Sequence, residues 1–412
     1  MTAAEPSRAL RTAWFVVALL WPVALLNYLD RQMLATMKSS MVGDITGITS
    51  DAQWGFVLAS FKWVYAVLSP IGGYIADRFS RRHVIAASLF TWSAVTWLTG
   101  HVTNYNELIA ARALMGVSEA FYIPAALALI SDFHLGTTRS RAIGLHQTGI
   151  YIGLIIGGFA GYAADSPTHG WRWAFSAAGL VGVIYAFPLF RFLKNPSRGA
   201  EDASHSLTPI RAAGELFSNR NFLLLVLYFT LPAIAGWVIK DWMPVILKEQ
   251  FKLSQGEAGV IAVLYVQIAT IGGALLGGWL ADRWMRHTER GRIYVSAIGM
   301  TLFLPALFGL GNPGTVALAI FFLILFGVGW GFFDCNNMPI LCQITRPELR
   351  ATGYGVMNLV SISCGGFGDW GFGVLKTQGV PLTLIFGCFT GVALLSLAIV
   401  LLIRPKSGDA RK

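Results

Sequence analysis

Apolar residues fall in twelve long runs along this 412-residue chain, at roughly 13–38, 53–76, 84–100, 107–131, 140–164, 172–193, 221–247, 256–281, 293–311, 315–344, 349–375 and 381–403. Each is close to or above the ~20 residues an α-helix needs to cross a hydrocarbon core. Spanning strands would alternate apolar and polar positions over about ten residues, and neither Leu223 to Leu227 nor Ile320 to Phe326 alternates. The longest polar stretch, Asn195 to Arg220, falls between the sixth and seventh runs. The pattern predicts an all-α integral membrane protein of twelve transmembrane helices, with residues 1–194 and 221–412 as two six-helix bundles and 195–220 as a cytoplasmic linker. No other loop is long enough to fold as a soluble domain.

Composition agrees: 55% hydrophobic and 13% charged residues, with a mean hydropathy of +0.59, are far from a soluble balance. Lys and Arg in the short loops divide 22 to 5 between the two sides, which predicts cytoplasmic termini and a plasma (bacterial inner) membrane location. The net charge of +10 is then a consequence of topology, and a nucleic-acid partner, which would want a basic soluble face, is not expected. The first run follows Arg8 and Arg11 without a small-residue cleavage site, so it reads as a span and not a signal peptide. Cys335, Cys342, Cys364 and Cys388 all fall inside runs and read as packing residues.

One element occurs twice. Gly72-Gly73-Tyr74-Ile75-Ala76-Asp77-Arg78 recurs as Gly277-Gly278-Trp279-Leu280-Ala281-Asp282-Arg283, and the two aspartates are 205 positions apart. Each copy closes an apolar run and opens a basic loop, as expected of an internally duplicated transporter. At these helix ends Asp77 and Asp282 are placed to pair with arginines such as Arg78, Arg81 and Arg283 and so to lock the cytoplasmic side; the same arginines also fix topology.

An ionised side chain at mid-bilayer costs at least about 2.5–3.5 kcal/mol even on the lenient insertion scale. The first half nevertheless carries Asp30 and Arg31 on the first run, Lys62 on the second, and Arg112 and Glu119 on the fourth. Asn27 with Asp30 and Arg31, Lys62 with Tyr65, and Arg112 with Glu119 and Tyr122 keep the three, four and seven residue steps of one helix face. Three cations against two anions invite an anionic ligand, although self-neutralising pairs that only fix packing are the alternative. The second half adds Asp334, Asn336, Asn337 and Asn358, hydrogen-bonding groups suited to a polyol or to helix-helix contacts.

The duplicated loop element, with Arg112-Ala-Leu-Met-Gly116 on the fourth run, resembles the major facilitator superfamily over the whole chain; Ser80 stands where that family usually has Gly. Asn27-Tyr28-x-Asp30-Arg31, Tyr65, and Arg112 with Glu119 further resemble its anion:cation symporters, such as bacterial galactonate and hexuronate carriers and sialin. The resemblance implies proton-coupled uptake of a small organic anion such as a sugar acid by alternating access. Arg31 would hold the substrate carboxylate and Tyr65 would line the site. Lys62 is an addition to the family's pattern, for a second acidic or phosphate group; it and Asn27, Tyr122, Asn336, Asn337 and Asn358 are read as lining residues from their positions on the polar faces. Asp30 and Glu119 would carry the proton, tuned by Arg112. The implied partners are the anion, protons and the bilayer; a monomer without metal or cofactor is expected. Asp-Arg on the first span also occurs in spinster-like lipid exporters, so a proton-driven exporter of amphipathic compounds or lipids stays open as the second reading. A membrane-embedded enzyme is the remote third, because His146 has no second histidine or cysteine spaced to join it.

Overall fold

The computed structural model describes residues 4–134, 138–195, 209–346 and 349–405, and among these the side chains other than those of residues 4–9, 73, 74, 76, 77, 140, 209–213 and 351. The order is α1 (Ala4–Thr36), α2 (Lys38–Asp44), α3 (Asp51–Arg78), α4 (Arg81–Thr99), α5 (Tyr105–Glu119), α6 (Tyr122–Phe133), α7 (Arg139–Asp165), α8 (Gly170–Phe192), α9 (Pro209–Ser218), α10 (Arg220–Phe251), α11 (Gln255–Met285), α12 (Gly291–Leu310), α13 (Val316–Ile344), α14 (Arg350–Thr377) and α15 (Leu382–Leu402). Every apolar run is therefore helical. Among the described residues, ten stretches are long and apolar enough to cross a membrane. The other two runs are α4, which opens on Arg81, Arg82 and His83, and α14, which is rich in glycine and carries Asn358, Ser361, Ser363 and Asp369.

Two details depart from the apolar pattern. The run at 107–131 is one span made of α5 and α6, joined through Ala120 and Phe121, which keep right-handed helical angles. The polar stretch at 195–220 contains the helix α9, whose Leu216 is buried and whose Glu215 pairs with Arg346. Helix starts follow local chemistry. The Asn104 side chain accepts from Glu107 N at 3.0 Å while Glu107 reaches back to Thr103 N at 2.7 Å, a reciprocal cap on α5. Ser80 has φ −63° and ψ 111°, an extended conformation that needs no glycine, and its hydroxyl caps α4 through His83 N.

The chain forms two compact units. Unit 1 is Met1–Thr49, Phe56–Gly199 and Asp241–Val260; unit 2 is Ser50–Gly55, Ala200–Lys240 and Ile261–Lys412. The end of α10 and the start of α11 thus fall in one unit with most of the first six spans although the sequence places them in the second six.

Unit 1 is built on the contact of α1 with α7. Gly149, Gly153, Gly157 and Gly161 recur every four residues and form one stripe along α7. A Cβ at Gly149 would stand 2.7 Å from Trp21 O, one at Gly157 2.8 Å from Leu29 O, and one at Gly153 would collide with Leu25 O. The backbones touch because these side chains are missing, the close crossing that small residues permit where lipid gives no hydrophobic drive to associate. In unit 2, Gly299 of α12 and Gly329 of α13 approach each other's carbonyls in the same way, at 2.8 and 2.9 Å.

Gly153→Leu is expected to destabilise the protein by roughly 3 kcal/mol or more, at or beyond the upper end of ordinary overpacking, because the obstacle is backbone. Gly144→Leu on the same helix, where nothing lies within 4 Å, is the control. Thermal unfolding in detergent checks the pair, and equal melting temperatures would contradict the close crossing.

Candidate substrate and proton site

The charges of the first half converge in unit 1. Arg31 of α1 directs Nε and Nη2 to one carboxylate oxygen of Glu119 on α5, at 2.6 and 2.5 Å. Its guanidinium lies 4.7–4.9 Å from the ring centroids of Tyr28, Phe61 and Tyr65, an aromatic collar that favours a cation. Phe61 carries Arg112 as well, 4.6 Å from its centroid, so one ring on α3 stands against both guanidiniums. Gly116 makes this possible: a Cβ there would sit 2.7 Å from Phe61 O, so α5 and α3 approach closely beside the charges. Asp30 accepts from Thr96 of α4 at 3.0 Å. Arg112 donates to Met115 Sδ at 2.9 Å.

Lys62 has a partner that sequence reasoning did not name. Its ammonium is 2.5 Å from Asp241 Oδ2 of α10, and both side chains are at most 9% exposed. Buried in unit 1 are Asp30, Glu119 and Asp241 against Lys38, Lys62 and Arg112, with Arg31 9% exposed beside Glu119. Asp241 thus meets one of the cations from which an anionic ligand was expected. Glu119 Oε1, Asp30 Oδ1, Arg112 Nε and both polar atoms of the Asn27 side chain are buried here without a hydrogen bond that meets the usual geometry. Buried polar atoms without partners call for an explanation.

Other expected site residues sit differently. Tyr122 is fully buried; its hydroxyl is 3.1 Å from Leu20 O and 2.8 Å from His146 Nε2. With the single phenol proton given to Leu20 O, His146 must donate from Nε2. Tyr185 donates to Leu19 O at 2.9 Å. Both carbonyls lie in the turn before Pro22, which interrupts the hydrogen-bond ladder of α1. Tyr122 and His146 therefore form a pair tied to the α1 backbone two residues before Pro22. Asn27 is fully buried on the face of α1 that carries Arg31.

In unit 2, Asp334 is exposed and Asn358 is half-buried. Asn336 and Asn337 are buried, Asn336 giving its amide to Phe332 O at 3.0 Å. Beside them is an aromatic cluster: Phe333 lies 5.3 Å from Tyr228, 5.9 Å from Phe229 and 5.3 Å from Trp330, and Phe229 6.4 Å from Tyr354. Asp369, fully buried in α14, is a further acid the sequence reading passed over.

At the loop elements, Arg81 pairs with Asp132 at the end of α6. Asp282 is largely exposed and 3.9 Å from Arg292. Arg283 lies over Trp279, and Arg78 is exposed. The Asp77 side chain lies outside the described residues.

Residues 20–368 match the Major Facilitator Superfamily, and the chain belongs to that superfamily: it is a multi-pass membrane transporter of the all-α major facilitator fold. It is 28% identical over 375 residues to "Protein spinster" of Drosophila melanogaster, covering 87% of this chain and 61% of the fly protein. The chain thus spans less than two thirds of that relative's length. It is 26% identical over 364 residues to "Sphingosine-1-phosphate transporter SPNS2" of Xenopus tropicalis, covering 84% of this chain and 70% of the relative. Among solved structures, the inward-facing, unoccupied bacterial homolog to the human lysosomal transporter Spinster superposes with a TM-score of 0.77 over 95% of each chain, at 20% identity, and shows the shared fold. These relatives support the superfamily, and they are spinster proteins and not the anion:cation symporters that the pattern on the first span resembles.

The Arg31–Glu119 geometry is testable without a substrate. Glu119→Gln is expected to lower stability by about 3 kcal/mol or more, because it strands a buried guanidinium. The double variant Arg31→Gln with Glu119→Gln should recover a large part of that loss, seen as a non-additive cycle of melting temperatures. Additive losses would contradict the pair.

Proposed function

We propose that this protein is a secondary active transporter of amphipathic, lipid-like molecules with a charged headgroup, driven by protons. The observation that carries the reading is the similarity, over more than four fifths of the chain, to spinster proteins, one of them named for sphingosine-1-phosphate. The site supports it. Arg31 is paired with Glu119 and Lys62 with Asp241, so a small hydrophilic anion would have to displace a carboxylate, whereas the rings of Tyr28, Phe61 and Tyr65 offer apolar contact around Arg31.

In this reading a proton on Glu119 releases Arg31, whose planar fork then takes a phosphate or carboxylate headgroup bidentately. Asp30, held by Thr96, is the second exchangeable acid. Arg112 stays beside both and stabilises their charged forms when the proton leaves. Movement of the halves 1–194 and 221–412 gives alternating access. The reading as a sugar-acid symporter keeps one specific support, that Glu119 already seats a carboxylate on Arg31 as a substrate acid would.

Proteoliposomes separate the two. A pH gradient should drive accumulation of a lysophospholipid or a sphingoid-base phosphate, and not of glucuronate or galactonate. Glu119→Gln should keep exchange of the amphiphile but lose gradient-driven accumulation. Accumulation of the sugar acids without the lysolipid would reject the lipid reading in favour of the symporter.

A further inference from the structure

We propose that Asn27 is the positioning residue for the transported proton: the proton sits on Glu119 Oε1, and the Asn27 amide turns from donor to acceptor to hold it there while Arg31 leaves for the headgroup. The proposal rests on the reading of Glu119 as the acid that exchanges protons. It starts from an asymmetry in that carboxylate. Arg31 sends both Nε and Nη2 to Oε2, at 2.6 and 2.5 Å, and Oε1 is left without a hydrogen bond of usual geometry.

Asn27 stands four residues before Arg31 on the same face of α1. It is fully buried, and its amide is near enough to Glu119 to act on it as a hydrogen-bonding group. With Oε2 occupied by Arg31, Oε1 is the oxygen left for it. Neither Nδ2 nor Oδ1 of Asn27 makes a hydrogen bond of usual geometry, so turning the amide over breaks no other bond. Asn336 of unit 2, whose amide is tied to Phe332 O, lacks that freedom.

An amide suits both states of the acid. Ionised Glu119 needs donors, and Asn27 supplies an N–H; protonated Glu119 needs an acceptor for its O–H, and Asn27 supplies its carbonyl. The second need is the sharper one, because a buried hydroxyl without an acceptor is costly. The charged and titratable groups facing Glu119 are Arg31 and Asp30 of α1, Tyr65 of α3 and Arg112 of its own helix. The two arginines only donate. Asp30 is the rival acceptor, since its Oδ1 is buried and also lacks a hydrogen bond of usual geometry. An O–H given to Asp30 would trap the proton between two carboxylates, whereas the neutral amide holds it without adding charge, so the proton leaves when Arg31 returns. In the loading step one proton from water forms the Oε1–H bond, the Asn27 N–H lets go of Oε1, and the Asn27 carbonyl accepts the new O–H. Asn27 thus acts on the substrate only through Glu119 and Arg31, in place of the lining role read from its sequence position.

Infrared difference spectra of the full-length protein between high and low pH, taken without substrate, read this bond. The carboxylic C=O band that Glu119→Gln removes belongs to protonated Glu119, and it lies at lower frequency the more strongly the acid is hydrogen-bonded. Asn27→Leu, close in volume, should move the band to higher frequency. Asn27→Thr, which keeps a group that both donates and accepts, should hold it near the wild-type position, and Asp30→Asn should move it less than Asn27→Leu does. In proteoliposomes with oleoyl-lysophosphatidic acid, Asn27→Leu should lower kcat of gradient-driven uptake by about tenfold, the worth of one hydrogen bond, with KM changed by less than about twofold. The proposal is overturned by a spectrum from which Glu119→Gln removes nothing, by a band that Asn27→Leu leaves in place or that both Asn27 variants move equally, or by a raised KM with kcat intact. A protein that shows the expected band shifts but carries no lysolipid keeps this assignment and counts against the lipid reading.

Discussion

A charge placed in the middle of a bilayer must meet its counter-charge inside the protein, because neither lipid nor bulk water can supply one there. Unit 1 satisfies that constraint with six ionisable groups from four helices, α1, α3, α5 and α10. Much of its architecture follows. The glycine stripe of α7 brings it against the backbone of α1 at Trp21, Leu25 and Leu29, which fixes the face that presents Asp30 and Arg31. Gly116 does the same between α5 and α3, placing Phe61 against both Arg31 and Arg112. Residues 241–260 belong to the same unit, and Asp241 brings a carboxylate to the Lys62 ammonium.

Pairing shapes the proposed reading. A small hydrophilic anion would have to displace a carboxylate from Arg31 or from Lys62, which are paired with Glu119 and Asp241. An amphiphile gains much of its binding from apolar contact, at about 25 cal/mol per Å² of buried surface. It needs only one released cation for its headgroup.

A large part of the fold was legible in the sequence, since runs of about 20 apolar residues in a membrane have one backbone solution. Arg31, Glu119, Asp30 and Arg112 were also visible as charges inside spans, Arg112 and Glu119 seven residues apart on one helix face and Asp30 and Arg31 three and four residues from Asn27. The partner of Lys62 was not. Lys240 and Asp241 lie together inside the apolar run 221–247, and an adjacent acid and base read as a self-cancelling pair. The helix points successive side chains about 100° apart, so the two separate: Asp241 goes to Lys62, and Lys240 to the ring of Trp237. Spacing within one helix also failed for Tyr122 and Asn336. Both lie on polar faces in sequence, but the Tyr122 hydroxyl donates to Leu20 O, 102 positions away, and Asn336 turns its amide back to Phe332 O on its own helix. The glycine stripe at 149, 153, 157 and 161 was readable in principle from its four-residue period.

The most direct measurement holds the headgroup constant and varies the apolar tail. Purified protein would be heated with glycerol 3-phosphate and with lysophosphatidic acids of increasing chain length, and with glucuronate as the small-anion comparison. A ligand of the native state raises the melting temperature with its affinity. The lipid reading predicts no shift from glycerol 3-phosphate or glucuronate and a shift that grows with tail length. A shift from glucuronate or the bare headgroup equal to that of the lysolipids would contradict it.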